Sequence, residues 1–150
     1  MEVTPQMSAV EDVEALIEKY KLATAEFLRG DAEPYKGLFS RREDVTLANP
    51  FFPVVRGWEE VSVTLERTAS RLRDGEFLDS EIVAKCVTDE LAYVVQLAHE
   101  TAKLGGSDEV TPVDLRNTMI LRPEGGAWKI VHLHGDPITT PRPAESVIRQ

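Results

Sequence analysis

Cysteine is nearly absent: Cys86 is the only one in 150 residues. A single thiol can form no internal disulfide and supplies no paired-cysteine zinc site; it fits a reducing, cytoplasmic compartment. Histidine is scarce too, at three. No uninterrupted apolar run reaches the length that crosses a bilayer, so no transmembrane helix is predicted. Residues 1–6 lack the basic start and apolar stretch of a signal peptide. Positive charge is in deficit, with 17 Lys and Arg against 26 Asp and Glu and a formal net charge of −9. That balance argues against nucleic acid or an anionic membrane surface as a partner. There is no glycine-rich phosphate loop, no metal-spacing motif and no serine marked as a nucleophile. Neither a cofactor nor a metal is expected.

What is present is the composition of an ordinary water-soluble domain, 42% apolar and 29% charged. A chain of this length buries roughly 70% of its unfolded surface. Residues 1–137 are read as one domain and the proline-bearing 138–150 as a surface tail. Ser8-Ala9-Val10-Glu11 reads as a capping box. Val13, Leu16, Ile17, Tyr20, Ala23, Phe27 and Leu28 follow at helical spacing, and Gly30 supplies a stop. Asp31 is placed to cap a short second helix, with Pro34 in its first turn and Tyr35, Leu38 and Phe39 inward. Residues 44–49 form a short strand closed by Asn49-Pro50, and 51–56 read as an apolar loop. A third helix is expected over 58–73, with Trp58, Val61, Leu65, Ala69 and Leu72 as its stripe and Gly75 as its stop.

Strands are predicted at 77–88, 91–103, 113–122 and 127–136, joined by hairpin-length connections. Such a sheet is antiparallel and meandering, and strands this long must twist and curl. Helices segregated from strands mean α+β. The expected architecture is a cone: a curved antiparallel sheet wrapped around three N-terminal helices, with a pocket at its open end.

Period-two alternation puts Trp128, Ile130, His132, His134 and Asp136 on one side of the last strand. His132 and His134 are candidates for an acid/base group and a substrate orienter; the alternative is a core or dimer-interface pair. A metal site joining them to His99 or Asp136 has no supporting motif. On the second strand Leu91, Tyr93, Val95, Leu97 and His99 share a face, and their bulk reads as inward. The opposite row, Ala92, Val94, Gln96, Ala98 and Ala102, reads as a small-residue face for sheet-on-sheet dimerisation. Arg116 lies mid-strand and needs an anion: Glu100 or Asp136, or a carboxylate on a ligand. Tyr20 and Trp58 belong to the core and line a pocket where it is deep. Phe51, Phe52 and Val54 read as a lid or a dimer contact.

Three segments carry a family resemblance over about residues 10–137: the Gly30-Asp31 turn; Asp44-Val45-Thr46-Leu47-Ala48-Asn49-Pro50 followed by Arg56-Gly57-Trp58; and residues 116–126 running into Trp128–His134. In order and spacing these resemble the nuclear-transport-factor-2-like superfamily. It includes ketosteroid isomerases, SnoaL-like polyketide cyclases and the association domain of the calcium/calmodulin-dependent kinase. The resemblance implies the cone fold. It does not imply one function, because this scaffold hosts catalysts, binders and assembly modules. Ketosteroid isomerases place an acidic base before a proline at the end of the first strand. Asn49 stands there, and an amide cannot take a proton from carbon. Tyr20 is a candidate for that family's first-helix oxyanion donor, placed about one turn earlier than the family's pattern, while no acid stands near Leu115 and Arg116 to supply the second. The kinase association domain implies Arg116 as a pocket cation and pairing of sheets between subunits.

The combined expectation is a homodimer, paired through the sheet, that binds a small organic ligand in a mostly apolar pocket, a carboxylate-bearing ligand among the candidates. Its ligand-binding residues would be Tyr20, Asn49, Trp58, Tyr93, Arg116 and Asp136. The alternatives are a cofactor-independent isomerase, cyclase or dehydratase using His99, His132 or His134, with Arg116 or Asn49 holding an oxyanion, and a non-catalytic oligomerisation module.

Overall fold

A computed structural model describes residues 8–148. The signal-peptide reading of residues 1–6 and the end of the tail, 149–150, lie outside the described residues. Helix α1 spans Ala9–Phe27. The Ser8 Oγ accepts the Glu11 amide at 3.2 Å, so Ser8 caps the helix as read; the Glu11 carboxylate accepts from the Ser8 hydroxyl, at 3.2 Å, in place of the Ser8 backbone amide of a full capping box. Its stripe from Val13 to Phe27 is buried. Gly30, at φ 99°, turns the chain back so that its amide reaches Phe27 O at 3.0 Å. Helix α2, Glu33–Lys36, is a single turn. Its N-cap is Ala32, but the Asp31 carboxylate still accepts the Glu33 amide at 3.0 Å.

The remaining elements are β1 (Thr46–Asn49), β2 (Phe52–Arg56), α3 (Trp58–Ala69), β3 (Leu72–Val87), β4 (Ala92–Leu104), β5 (Val110–Pro112), β6 (Leu115–Glu124) and β7 (Ala127–Asp136). The strands make one seven-stranded, unclosed sheet in the order β2-β1-β7-β6-β4-β3, with β5 also on β4. The architecture is α+β.

Several local expectations need correction. Residues 52–56 are not loop but β2, antiparallel to β1. Helix α3 stops at Ala69, and Leu72, counted on its stripe, opens β3. An apolar residue one turn beyond a helix end fits either period. The sheet is not wholly antiparallel, because β1 runs parallel to β7, pairing Thr46 with His132 and Ala48 with His134. Hairpin logic covers only strands adjacent in sequence, and β1 reaches β7 across α3 and most of the sheet.

The two faces of β4 are the reverse of the expectation. Ala92, Val94, Gln96, Ala98, Glu100 and Ala102 are buried on the inner face, while Leu91 and Tyr93 are 52% and 43% exposed. The reason is curvature. Register shifts interrupt the β3–β4 ladder between Arg73 and Glu76, Phe77 and Asp79, and Ile82 and Ala84. Another lies between Ile120 and Leu121 on β6. Each bends the sheet. The concave side of a bent sheet under helices is crowded and takes small side chains; the convex side has room for Tyr93 and Leu97. Asn117, Met119 and Leu121 of β6 and Ile130, Leu133 and Gly135 of β7 share the inner face, and the first five join or border the core of Val13, Ile17, Phe39, Val61 and Leu65.

Gly75 is where helix and sheet come closest. Its amide donates to Leu28 O at 3.1 Å. A Cβ there would stand 2.4 Å from Thr101 O and 2.6 Å from the Leu28 Cβ. Gly75 is therefore a close-approach glycine inside β3, not the stop of α3. Gly75→Ala should destabilise the fold by roughly 1–3 kcal/mol, read from the urea midpoint. Gly106→Ala, where an added Cβ meets nothing within 4 Å, should stay within about 0.5 kcal/mol. Equal midpoints for the two variants would refute the assigned contact.

Candidate functional site

Between the end of α1 and the open end of the sheet lies a cavity of about 410 Å³. Its walls are Tyr20, Thr24, Phe27 and Leu28 from α1, Tyr35 from α2, Leu47 to Phe51 around β1, Leu65 and Thr68 from α3, and Leu72. Glu100 and Leu104 of β4, Pro112 to Leu115, Asn117, Leu133 and Gly135 complete it, with Pro137 and Thr139. The start of the expected tail is thus part of the wall. Most of this lining is apolar, as small-molecule sites are.

The polar groups in it differ in how far they are already engaged. Asn49 is engaged at both ends of its amide: its Oδ1 accepts the Phe51 and Phe52 amides at 2.9 and 3.1 Å, and one N–H of its Nδ2 donates to the Thr68 hydroxyl at 3.2 Å. It organises the β1–β2 turn. The Tyr20 and Tyr35 hydroxyls meet at 3.2 Å within a stack that includes Phe27, with ring centroids 5.4 and 4.6 Å apart. Burial, reinforced by the charge of Glu100, pushes the Tyr20 hydroxyl up to about 12. Tyr35 is pushed up as well, first by burial and then by Tyr20. Both rings stay neutral at any physiological pH.

Glu100 is the group with chemical latitude. It sits on the inner face of β4 and is 4% exposed. Loss of water, and then the like charge of Asp114, raises its carboxyl from 4.5 to about 7. A carboxyl that titrates near neutrality inside an apolar cavity is able to donate or accept a proton under ordinary conditions. On β6, which also lines the cavity, Asn117 Oδ1 is buried with no hydrogen-bond partner among the described residues. Gln96, paired with Asn117 across the strands, leaves its Nε2 in the same state.

Of the nine candidate residues, Tyr20 and Asn49 line this cavity. The other seven do not. Tyr93, His99, Arg116, His132, His134 and Asp136 stand on the outer face, in cross-strand rows such as Arg116 with Asp136 and Ile120 with His132. The inward placement of Tyr93 and His99 is corrected for the reason given above. Arg116 is not buried: its side chain is 51% exposed and forms a two-pronged ion pair with Asp136, at 2.7 and 3.1 Å. His134 Nε2 lies 3.3 Å from the same carboxylate. Burial pushes Asp136 up, but Arg116, the Ile138 amide and His134 together outweigh it and hold the carboxyl low. His132 Nδ1 meets the Thr46 hydroxyl at 2.7 Å; partial burial, then His134, lowers its ring. His99 bonds the Asp114 carboxylate through Nδ1 at 3.1 Å, and this bond raises its ring. It touches the cavity wall from outside. Trp58 opens α3, half-buried, with the Arg41 guanidinium 4.5 Å above its ring.

Glu100, Tyr35, Asp114 and Asn117 were not among the candidates. The available signal was on β4: Glu100 is the one ionisable residue in a row otherwise made of Ala, Val, Gln and Ala. Once that row faces inward, its carboxyl has nowhere else to go.

The sequence matches none of the curated proteins compared with it. A family model described as a SnoaL-like domain matches residues 13–139. Among solved structures, a dehydratase candidate of the NTF2-like family from Streptomyces avermitilis superposes with a TM-score of 0.72 at 21% identity, over 87% of this chain and 96% of that one. A ketosteroid isomerase-like protein from Erwinia carotovora atroseptica gives 0.69 at 20%, over 86% and 95%. An NTF2-like superfamily protein from Salmonella enterica serovar Typhimurium gives 0.73 at 17%, over 89% and 93%. At these identities the likeness establishes the fold. No helix among the described residues is long and apolar enough to cross a membrane.

Burial of Glu100 has a measurable consequence. Its carboxyl is raised in the folded state, so below 4.5 both folded and unfolded chains hold the proton and burial costs nothing through charge. Between 4.5 and about 7 the unfolded chain releases a proton that the folded one keeps, and stability falls as pH rises. Above that window the loss is constant, at about 3 kcal/mol. Glu100→Gln should remove this component: urea titrations of the two proteins should diverge across the window, the variant becoming the more stable at higher pH. Parallel curves would refute the assignment. Histidine contributions cancel in the difference.

Proposed function

This chain belongs to the SnoaL-like domain family, and on that premise we propose that it binds a small, largely apolar organic molecule, with Glu100 as the polar anchor. The observation that carries this reading is a buried carboxyl with no hydrogen bond or counter-charge among the described residues, at the wall of an apolar cavity of about 410 Å³. Folded proteins rarely leave such a group unpaired unless something else completes it.

A second reading is cofactor-independent acid/base catalysis of the isomerase, cyclase or dehydratase type. Its support is a Glu100 proton held to about 7, near the value at which a carboxyl both donates and accepts efficiently at neutral pH. The acid/base role once assigned to His99, His132 and His134 passes here to Glu100, since the histidines lie outside the cavity. Catalysis is told apart from binding by turnover, which Glu100→Gln should lower by about 10²–10⁴-fold.

We further propose that a second copy of the chain covers the outer face. Tyr93, Val95, Leu97 and Ile120 form an apolar stripe there, bordered by acidic Asp79 and Glu81 on one side and Arg116 on the other. A face carrying both signs around an apolar centre can pair with its own copy about a two-fold axis.

Binding is checked with tryptophol followed by amide chemical shifts. Tryptophol should shift the amides of Thr24, Glu100 and Asn117, and Thr139→Trp, which fills the cavity from its wall, should weaken binding by at least about tenfold. Shifts confined to the outer face would defeat the proposal. Sedimentation at micromolar concentration should give the mass of a dimer, reduced to that of a monomer by Tyr93→Lys; a wild-type monomer would end the pairing reading.

A further inference from the structure

The cavity holds two carboxyl groups, Glu100 and Asp114, and no lysine, arginine or histidine among its lining residues. Asp114 has a hydrogen-bond partner outside the cavity, in His99 Nδ1 at 3.1 Å. Glu100 has none. The one charged group that bears on it is Asp114, of the same sign, and the groups facing it from α1 and α2 are the neutral hydroxyls of Tyr20 and Tyr35. It is also not merely one of a cluster of surface acids: it is 4% exposed and makes no hydrogen bond among the described residues.

Several hydrogen-bond donors nearby are already committed. The Thr24 and Thr68 hydroxyls donate to Tyr20 O and Thr64 O at 2.7 and 3.0 Å, and the Asn49 amide donates to Thr68. What remains open includes two acceptors, the Glu100 carboxylate and the buried Asn117 Oδ1, and neutral donors such as one of the two tyrosine hydroxyl protons and the second Asn49 N–H, but no cationic side chain among the lining residues. A ligand carboxylate would bring a third acid to a site with no cation, at a large desolvation cost. A ligand ammonium would supply the donor and the counter-charge together. It would also lie among the tilted rings of Tyr20, Phe27 and Tyr35, whose faces attract cations.

On the reading that the cavity binds a small organic molecule, we propose that it is selective for organic cations: a protonated ligand nitrogen pairs with the Glu100 carboxylate, the apolar body fills the remaining space, and anionic ligands are excluded. The charge preferred is thus opposite to that of the carboxylate ligand expected when Arg116 was a candidate clamp. Binding is coupled to release of the Glu100 proton to solvent at pH values where the empty cavity holds it.

Three probes of like shape separate the possibilities: tryptamine, a cation; tryptophol, neutral; and indoleacetate, an anion. At about pH 8, tryptamine should bind at least about tenfold more tightly than tryptophol, and indoleacetate should not bind. Glu100→Gln should collapse the ratio of the first two affinities to about one. In the unaltered protein at about pH 6, calorimetry in buffers of different ionisation enthalpy should show proton release with tryptamine and none with tryptophol. This readout does not depend on any variant folding. Tryptophol binding as tightly as tryptamine, indoleacetate binding comparably, or tryptamine binding without proton release overturns the cation inference and leaves the ligand-binding reading in place. Failure of all three probes to enter the cavity overturns both.

Discussion

The wedge of Gly75 between Leu28 and Thr101 sets where α1 lies over the sheet. Leu28 closes the helix, and Thr101 follows Glu100 on β4. With no side chain between them, the last turns of α1 are drawn down beside the inner face of β4 at the position of Glu100. Tyr20, Thr24 and Phe27 occupy those turns and become cavity wall. Anything larger than hydrogen at position 75 would lift the helix end and open the cavity to water. The low dielectric around Glu100, and everything argued from it, follows from this one close contact.

Glu100 and the outer-face charges show two different ways of handling ionisable groups. Arg116, Asp136, His134 and His99 are exposed, mutually paired and cheap to keep charged. Glu100 is isolated and carries a stability penalty at neutral pH. Proteins tolerate such a local conflict where binding or catalysis requires it.

The elements governed by local chemistry were legible in the sequence. The Ser8 cap, the stripe of α1, the Gly30 stop and the hairpins between β3, β4, β6 and β7 depend on residues within a few positions of one another. What was not legible depends on long-range geometry. The β1–β7 pairing joins residues far apart in the chain. The strand character of 52–56 came from its pairing with β1, and the Asn49-Pro50 turn signal just before it made the segment read as loop. Above all, alternation on β4 gave two faces correctly but could not say which was inner, because bulk points inward on a flat sheet and outward on a strongly bent one. That single ambiguity moved Tyr93 and His99 out of the cavity and Glu100 into it. Family likeness settled the fold; the assignment of the two β4 faces came only with the bent sheet itself.

The breaks in the β3–β4 ladder have one more effect. β3 is a sixteen-residue strand at the margin of an open sheet, and its far side presents backbone donors and acceptors that β4 does not use. A regular margin of that length would template the addition of foreign strands and seed fibrils. The three register shifts break its periodicity, and Asp74, Glu76, Asp79, Glu81 and Lys85 stud it with charge. The distortions that wrap the sheet around its helices therefore also keep the chain from polymerising edge to edge.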